Sequence, residues 1–431
     1  MLLGVLLIVV TAGTEPPVHL DPETVVTRVL EVSQAVSGAD YRTSAAARTV
    51  AAADALLLPS VSASASALYR SSVPPFSIAL PGMTPLEISP DIREVYASGV
   101  RLDYLLFTGG AVSGSRRAAR HDLEAARHTT LRVRADLRLI ATVAYWDAVR
   151  AAAGVATAEA QQRRADGMLS DAQALGDVGM ATAADLAAAR ERVASAAVQR
   201  IRARATADNA VATLRSLMRV ESGELELADS LGGPLPPLPD SVQTLQRLAL
   251  GSRPELGAAQ ARQKALTAGR TAAAAGSWPD VLAIAQWDYN RPNQRYFPTS
   301  EEWHDSWSVG VVGSWTVFDG GKARAEARSL EAAAMAASRD VAELERSVLL
   351  EVETARNDLT SMLGAVTAAD AALEAAAERE RQVRQHHAAG VASTTDLLDA
   401  EAQLSASERL VIETRSNAWI AAARLDRAVG R

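Results

Sequence analysis

Few side chains in this chain of 431 residues are placed to do chemistry. His386 and His387 are the one histidine cluster, but neighbours in sequence do not share a helix face, which argues against a shared metal site. Asp185 follows a glycine turn at Gly179, and Asp396 and Asp399 follow another at Gly390. Carboxylates at such helix starts are favoured by the positive end of the helix dipole, whatever else they do. The sequence holds no GK[ST] phosphate cradle, no HExxH and no GxSxG, so no enzyme active site is expected and no cofactor is implied. The absence of cysteine excludes a disulfide scaffold, thiolate zinc sites, Fe–S clusters and cysteine nucleophiles. A net charge of −7 argues against wrapping nucleic acid, which needs a basic footprint.

Two kinds of element must hold these residues. The first alternates with a period of two. Val61, Ala63, Ala65, Ala67 and Tyr69 oppose Ser60, Ser62, Ser64 and Ser66, and Val100, Leu102, Tyr104 and Leu106 oppose Arg101 and Asp103. Val281, Ala283, Ala285, Trp287 and Tyr289 form a third apolar row against Gln286, Asp288 and Asn290. Trp307, Val309, Val311, Trp315 and Val317 form a fourth against Ser308, Ser314 and Thr316. Fourteen of the eighteen aromatic residues fall within 59–107 and 278–318, about a fifth of the chain. Strands of this length with an apolar face, a polar face and aromatic ends are the signature of a transmembrane β-barrel. A soluble sandwich would have to build its core from rows of serine and alanine.

The second kind is heptad-like helix. Val341, Val348, Ala355, Met362, Ala369, Ala376 and Val383 recur every seven residues, as do Leu397, Leu404, Val411, Ala418 and Leu425. The stretch Lys322–His386 would run ~100 Å as one helix, a rod that can only pack beside other rods. Alanine supplies much of the 48 % hydrophobic content, which favours helix but gives a thin core.

The chain is duplicated. Phe107, Gly109, Gly110, Gly179, Asp185 and Leu186 match Phe318, Gly320, Gly321, Gly390, Asp396 and Leu397 at a constant offset of 211, and Pro59 matches Pro279 at 220. The division predicted is a signal-peptide-like segment over 1–13, a first repeat over 20–220, a Gly/Pro linker over 221–240 and a second repeat over 241–431. Each repeat reads helix, two strands, then a long helical hairpin. Strands within 59–107 and 278–318 form one layer, and helices within 110–218 and 321–428 form another.

With these residues in place, the chain resembles the TolC-like outer-membrane efflux channel family. The resemblance rests on Phe107-Thr108-Gly109-Gly110 and Phe318-Asp319-Gly320-Gly321, where strand becomes long helix. It rests equally on the hairpin tips that begin Gly179-Met180-Ala181-Thr182 and Gly390-Val391-Ala392-Ser393. It implies an α+β membrane protein, a homotrimer whose protomers each give four strands to a twelve-stranded barrel and long helices to a coaxial periplasmic α-barrel. Open strand edges are unsatisfied in lipid, so the pattern alone already asks for several chains, whether two, three or four. The family implies a passive exit duct in the Gram-negative outer membrane, served by an inner-membrane transporter and a periplasmic adaptor that docks on the hairpin tips. It places the closed constriction at those tips, with Asp396 and Asp399 ringing the aperture and Asp185 as an acidic gate residue on the other hairpin. Where the family carries a basic residue after the tip glycine this chain has Ala392, and its tyrosine position is His387. Arg384, one turn earlier, is the candidate substitute for the salt-bridge lock. The same duct also serves type I protein secretion, and the bland rival is an envelope coiled-coil scaffold without a pore.

Overall fold

A computed structural model describes residues 18–78, 81–82, 86–179, 181–221, 225–229 and 231–431; the segment 1–13 and Met180 lie outside them. In chain order the elements are β1 (Val18–Leu20), α1 (Pro22–Val32), α2 (Gln34–Ala55), β2 (Ser60–Tyr69), β3 (Phe76–Ile78), β4 (Leu86–Ser89), β5 (Glu94–Phe107), α3 (Ala111–Asp177) and α4 (Ala183–Met218). The second half continues with β6 (Leu225–Leu227), α5 (Val242–Ser252), α6 (Pro254–Ala274), β7 (Asp280–Arg291), β8 (His304–Ser314), α7 (Lys322–Ala388) and α8 (Thr394–Val429). The chain divides into two units, one of residues 41–128 and 257–342 and one of the remainder.

The first unit carries a four-stranded antiparallel sheet in the order β2-β5-β7-β8. Val100 lies opposite Trp287 and Ala63, and Trp287 lies opposite Trp307. Residues opposite one another share a face, so one side of the sheet collects valine, alanine and aromatics and the other collects Ser62, Arg101, Gln286 and Ser308. The alternation predicts strand through Val317, but β8 stops at Ser314. Its neighbour β7 begins at Asp280, after Pro279, and offers no backbone beyond that point. Trp315 instead turns its indole N–H to the Ser277 carbonyl at 3.3 Å. Between β2 and β5, β3 and β4 pair as a small hairpin.

Helices pack closely below this sheet. A Cβ on Gly114 of α3 would fall 2.6 Å from the Ala272 nitrogen of α6. Gly109 has a left-handed φ of 56°, and a Cβ there would lie 2.4 Å from the Trp278 Cβ. Arg116 and Arg120 of α3 hold Asp54 of α2 at 2.6 and 3.3 Å, while Arg270 of α6 meets Glu331 of α7 at 3.5 Å.

The second unit is helical. Val25, Val29, Tyr145, Trp146, Leu214 and Met218 centre one apolar cluster, and Leu245, Val348, Val352, Leu359, Leu425 and Val429 centre another. The duplication predicts one leading helix per repeat, yet both are broken in two. Pro254 lacks the N–H a continuous helix needs, and the Ser33 hydroxyl accepts from Ala35 and Val36 to start α2 afresh. The linker 221–240 is also not wholly irregular. Its β6 pairs in parallel with β1, Val18 opposite Leu225.

Tyr145 fastens that pair. Its buried hydroxyl donates to Asp229 Oδ2 at 2.8 Å, lies 3.1 Å from the Leu20 carbonyl oxygen and accepts from the Asp229 N–H at 3.2 Å. Burial and the neighbouring carboxylate push the phenol well above its ordinary range. Tyr145→Phe should cost about 1–2 kcal/mol, because the aspartate and the carbonyl lose a buried partner. Amide hydrogen exchange in β1 and β6 should rise more than in α3, and unchanged protection would contradict the role given to the hydroxyl.

Candidate gate and docking tips

Each long hairpin turns on a glycine. Gly179 and Gly390 have φ of 77° and 74°, a region open to glycine at little cost, and each donates its N–H back to the end of the preceding helix. The next helix begins with a reciprocal cap. The Asp185 N–H donates to Thr182 Oγ1 at 3.2 Å, and the Thr182 N–H donates to Asp185 Oδ2 at 2.9 Å. Ser393 and Asp396 repeat this at 3.1 and 3.0 Å. Each hydroxyl also donates to the same carboxylate, at 2.6 Å from Thr182 and 2.7 Å from Ser393. These hydrogen bonds hold both aspartates below the ordinary carboxylate range. Asp399 lies exposed one turn beyond Asp396.

The two tips lie close: Thr394 and, more weakly, His387 of the second hairpin also help hold Asp185 below the ordinary carboxylate range. His387 Nε2 lies 3.4 Å from Thr394 Oγ1. Thr394 therefore sits between the first repeat's carboxylate and the second repeat's imidazole. Gly179, Thr182, Gly390 and Ser393 are exposed, Val391 is 77 % exposed, and Ala181 and Ala392 are half-buried. The rim is thus small and weakly polar. Among the described residues, no group of three or more His, Asp or Glu could hold a metal ion.

Arg384 is engaged inside its own hairpin. It pairs with Glu380 on α7 and reaches Glu401 Oε1 on α8 at 2.8 Å. Glu401 is only 2 % exposed. Sequence reasoning passed over this carboxylate, although it had a signal: Glu401 stands four residues after Leu397 and three before Leu404, within the apolar stripe.

At the other end of the long helices, Asp319 accepts from the N–H groups of Gly321 and Ala323, both at 2.8 Å, and caps α7. Thr108 does the corresponding work for α3 more weakly, at 3.4 Å from Val112 N. Gly110, Gly320 and Gly321 share the positive φ of Gly109, and Phe107 and Phe318 are exposed beside them.

The chain thus holds a four-stranded sheet with one apolar and one polar face, and two long helical hairpins whose turns are capped. The outer membrane efflux protein family model matches residues 25–218 and 245–431, and the chain belongs to that family. It is a protein of the Gram-negative outer membrane. Over 288 residues it is 22 % identical to the outer membrane protein TolC of Vibrio cholerae, a match covering 67 % of this chain and 66 % of that relative's length. Among solved structures it is similar to CusC, with a TM-score of 0.80 and 16 % identity over 97 % of this chain and 95 % of that one. The Vibrio cholerae outer membrane protein VceC gives a TM-score of 0.78 and 19 % identity over 95 % and 96 %. At these identities the likeness is one of fold.

Proposed function

We propose that this chain is the outer-membrane exit duct of a tripartite efflux pump, passively passing substrates delivered by an inner-membrane transporter through a periplasmic adaptor. The observation that carries this reading is the sheet β2-β5-β7-β8, apolar on one face and polar on the other, with β2 and β8 as open edges. Such edges are untenable in lipid, so four strands per chain call for closure by further copies, three copies in all giving a twelve-stranded barrel. The polar face lines a channel, the helices extend it into the periplasm, and no step makes or breaks a covalent bond. The tips carry the gate through Asp185, Asp396 and Asp399, and their small residues are the adaptor's landing site.

The decisive measurement is conductance across a planar bilayer by the detergent-purified protein. Discrete ion-conducting steps are expected. A protein that stays in solution without detergent and gives no conductance would instead be the coiled-coil scaffold. Because His387 lies against Thr394 at the tip, His387→Ala should change the share of open and closed conductance steps, and an unchanged share would remove His387 from the gate.

A further inference from the structure

We infer that the strand layer of the duct is itself a charge filter, set by Asp288, that favours cationic substrates over anionic ones. This rests on the channel reading above and adds the class of substrate that the wall prefers. On the polar face of the sheet Ser64 lies opposite Gly99, Gly99 opposite Asp288 and Asp288 opposite Ser306. Residues opposite one another share a face, so these four make one row across the wall. Two serines and a glycine leave the carboxylate as the one charged group in that row. Gly99 makes the room for it. A Cβ there would fall 2.8 Å from Asp288 Oδ1 and 3.0 Å from the Trp287 carbonyl oxygen. Glycine inside a strand often marks such a close approach. Gln286 then fixes the carboxylate, donating from Nε2 to Asp288 Oδ1 at 2.8 Å.

The other charges on this face do not offset Asp288. Arg101, two residues along β5 from Gly99, turns its Nε to both Asp103 oxygens, at 2.9 and 3.0 Å. That pair is neutral as a unit. Among the described residues, the hydrogen-bond partner of Asp288 is an uncharged amide and no ion pair reaches it. Asp280, at the start of β7 on the same face and opposite Ser314, adds charge of the same sign. Repeated in every copy around the axis, Asp288 puts several carboxylates at one level of a water-filled, low-dielectric wall. Walls lined by one sign of charge focus the field and concentrate counter-ions, and rings of aspartate select cations.

The chain has no cysteine, so a single introduced thiol can report the charge around it. Ser308 lies opposite Gln286, one diagonal step from Asp288 on the same face and roughly 7–8 Å away. In the full-length Ser308→Cys variant assembled in detergent, cationic and anionic methanethiosulfonates of similar size should both label the thiol. The cationic reagent should react about three times faster at ~0.1 M salt, and the preference should vanish near ~1 M, where the screening length is ~3 Å. Adding Asp288→Asn, which keeps an acceptor for Gln286, should remove most of the preference. Adding Arg101→Gln instead should enlarge it, because Asp103 then loses its cation. Equal rates for the two reagents, or a preference that Asp288→Asn leaves intact, would overturn the charge filter while the duct stands. A thiol at position 308 that neither reagent reaches would overturn the duct as well.

Discussion

Arg384→Ala should destabilise the second hairpin by about 3–5 kcal/mol, the scale on which a buried ion loses its hydrogen-bonded partner. Glu401 is buried on α8, and the Arg384 guanidinium is the cation that reaches it, shared with Glu380. The loss should appear as a lower unfolding midpoint in detergent and as new proteolysis near the Gly390 turn. Glu401→Gln, which keeps an acceptor for Arg384 without the buried charge, should be neutral or stabilising, and adding it to Arg384→Ala should restore most of the loss. Burial raises the Glu401 carboxyl above its ordinary value even against the opposing charge of Arg384. A raised carboxyl contributes stability that is present below the unfolded value of about 4.3 and lost as pH rises through the folded value. The benefit of Glu401→Gln should therefore be seen at neutral pH and vanish below about pH 4. A double variant as weak as Arg384→Ala alone would show that the arginine acts by packing.

Gly109→Ala should cost about 2–5 kcal/mol, combining a left-handed residue at ~1–2 kcal/mol with overpacking at ~1–3 kcal/mol. The clash is with the Cβ of Trp278 rather than the end of a flexible side chain, so the local backbone has to move. Gly320→Ala meets open space within its own chain and should cost only the conformational part, about 1–2 kcal/mol. Denaturation midpoints of the two variants in the same detergent give the comparison. Equal losses would mean that Trp278 yields freely.

The strand faces and long helices were legible because each depends on one local period, two for Val61 to Tyr69 and seven for Val341 to Val383. The glycine turns and their caps were legible because Gly179-x-x-Thr182 and Gly390-x-x-Ser393 carry their own turn chemistry. What escaped depends on contacts distant in sequence. The pairing of β1 with β6 joins residues about 200 positions apart through a linker that reads as breakers. The early end of β8 follows from where its neighbour begins, which no periodicity within β8 records. Glu401 was passed over because a carboxylate on a long helix is usually solvated, and it is the facing Arg384, across the hairpin, that pairs with it when buried. Asp185 and Asp396 cap their own helices, in keeping with the helix-start positions read from the sequence.

The two open edges of the sheet belong to different strands, β2 on one side and β8 on the other. On the proposed reading such a unit joins head to tail, and growth would be arrested only when the last copy meets the first. A copy with a damaged β8 and an intact β2 would still be accepted by its neighbour and then halt the chain, as a terminator halts a polymer. Mixed with normal copies it would poison whole assemblies rather than merely dilute them, so damage to one edge should be dominant while loss of the protein is recessive.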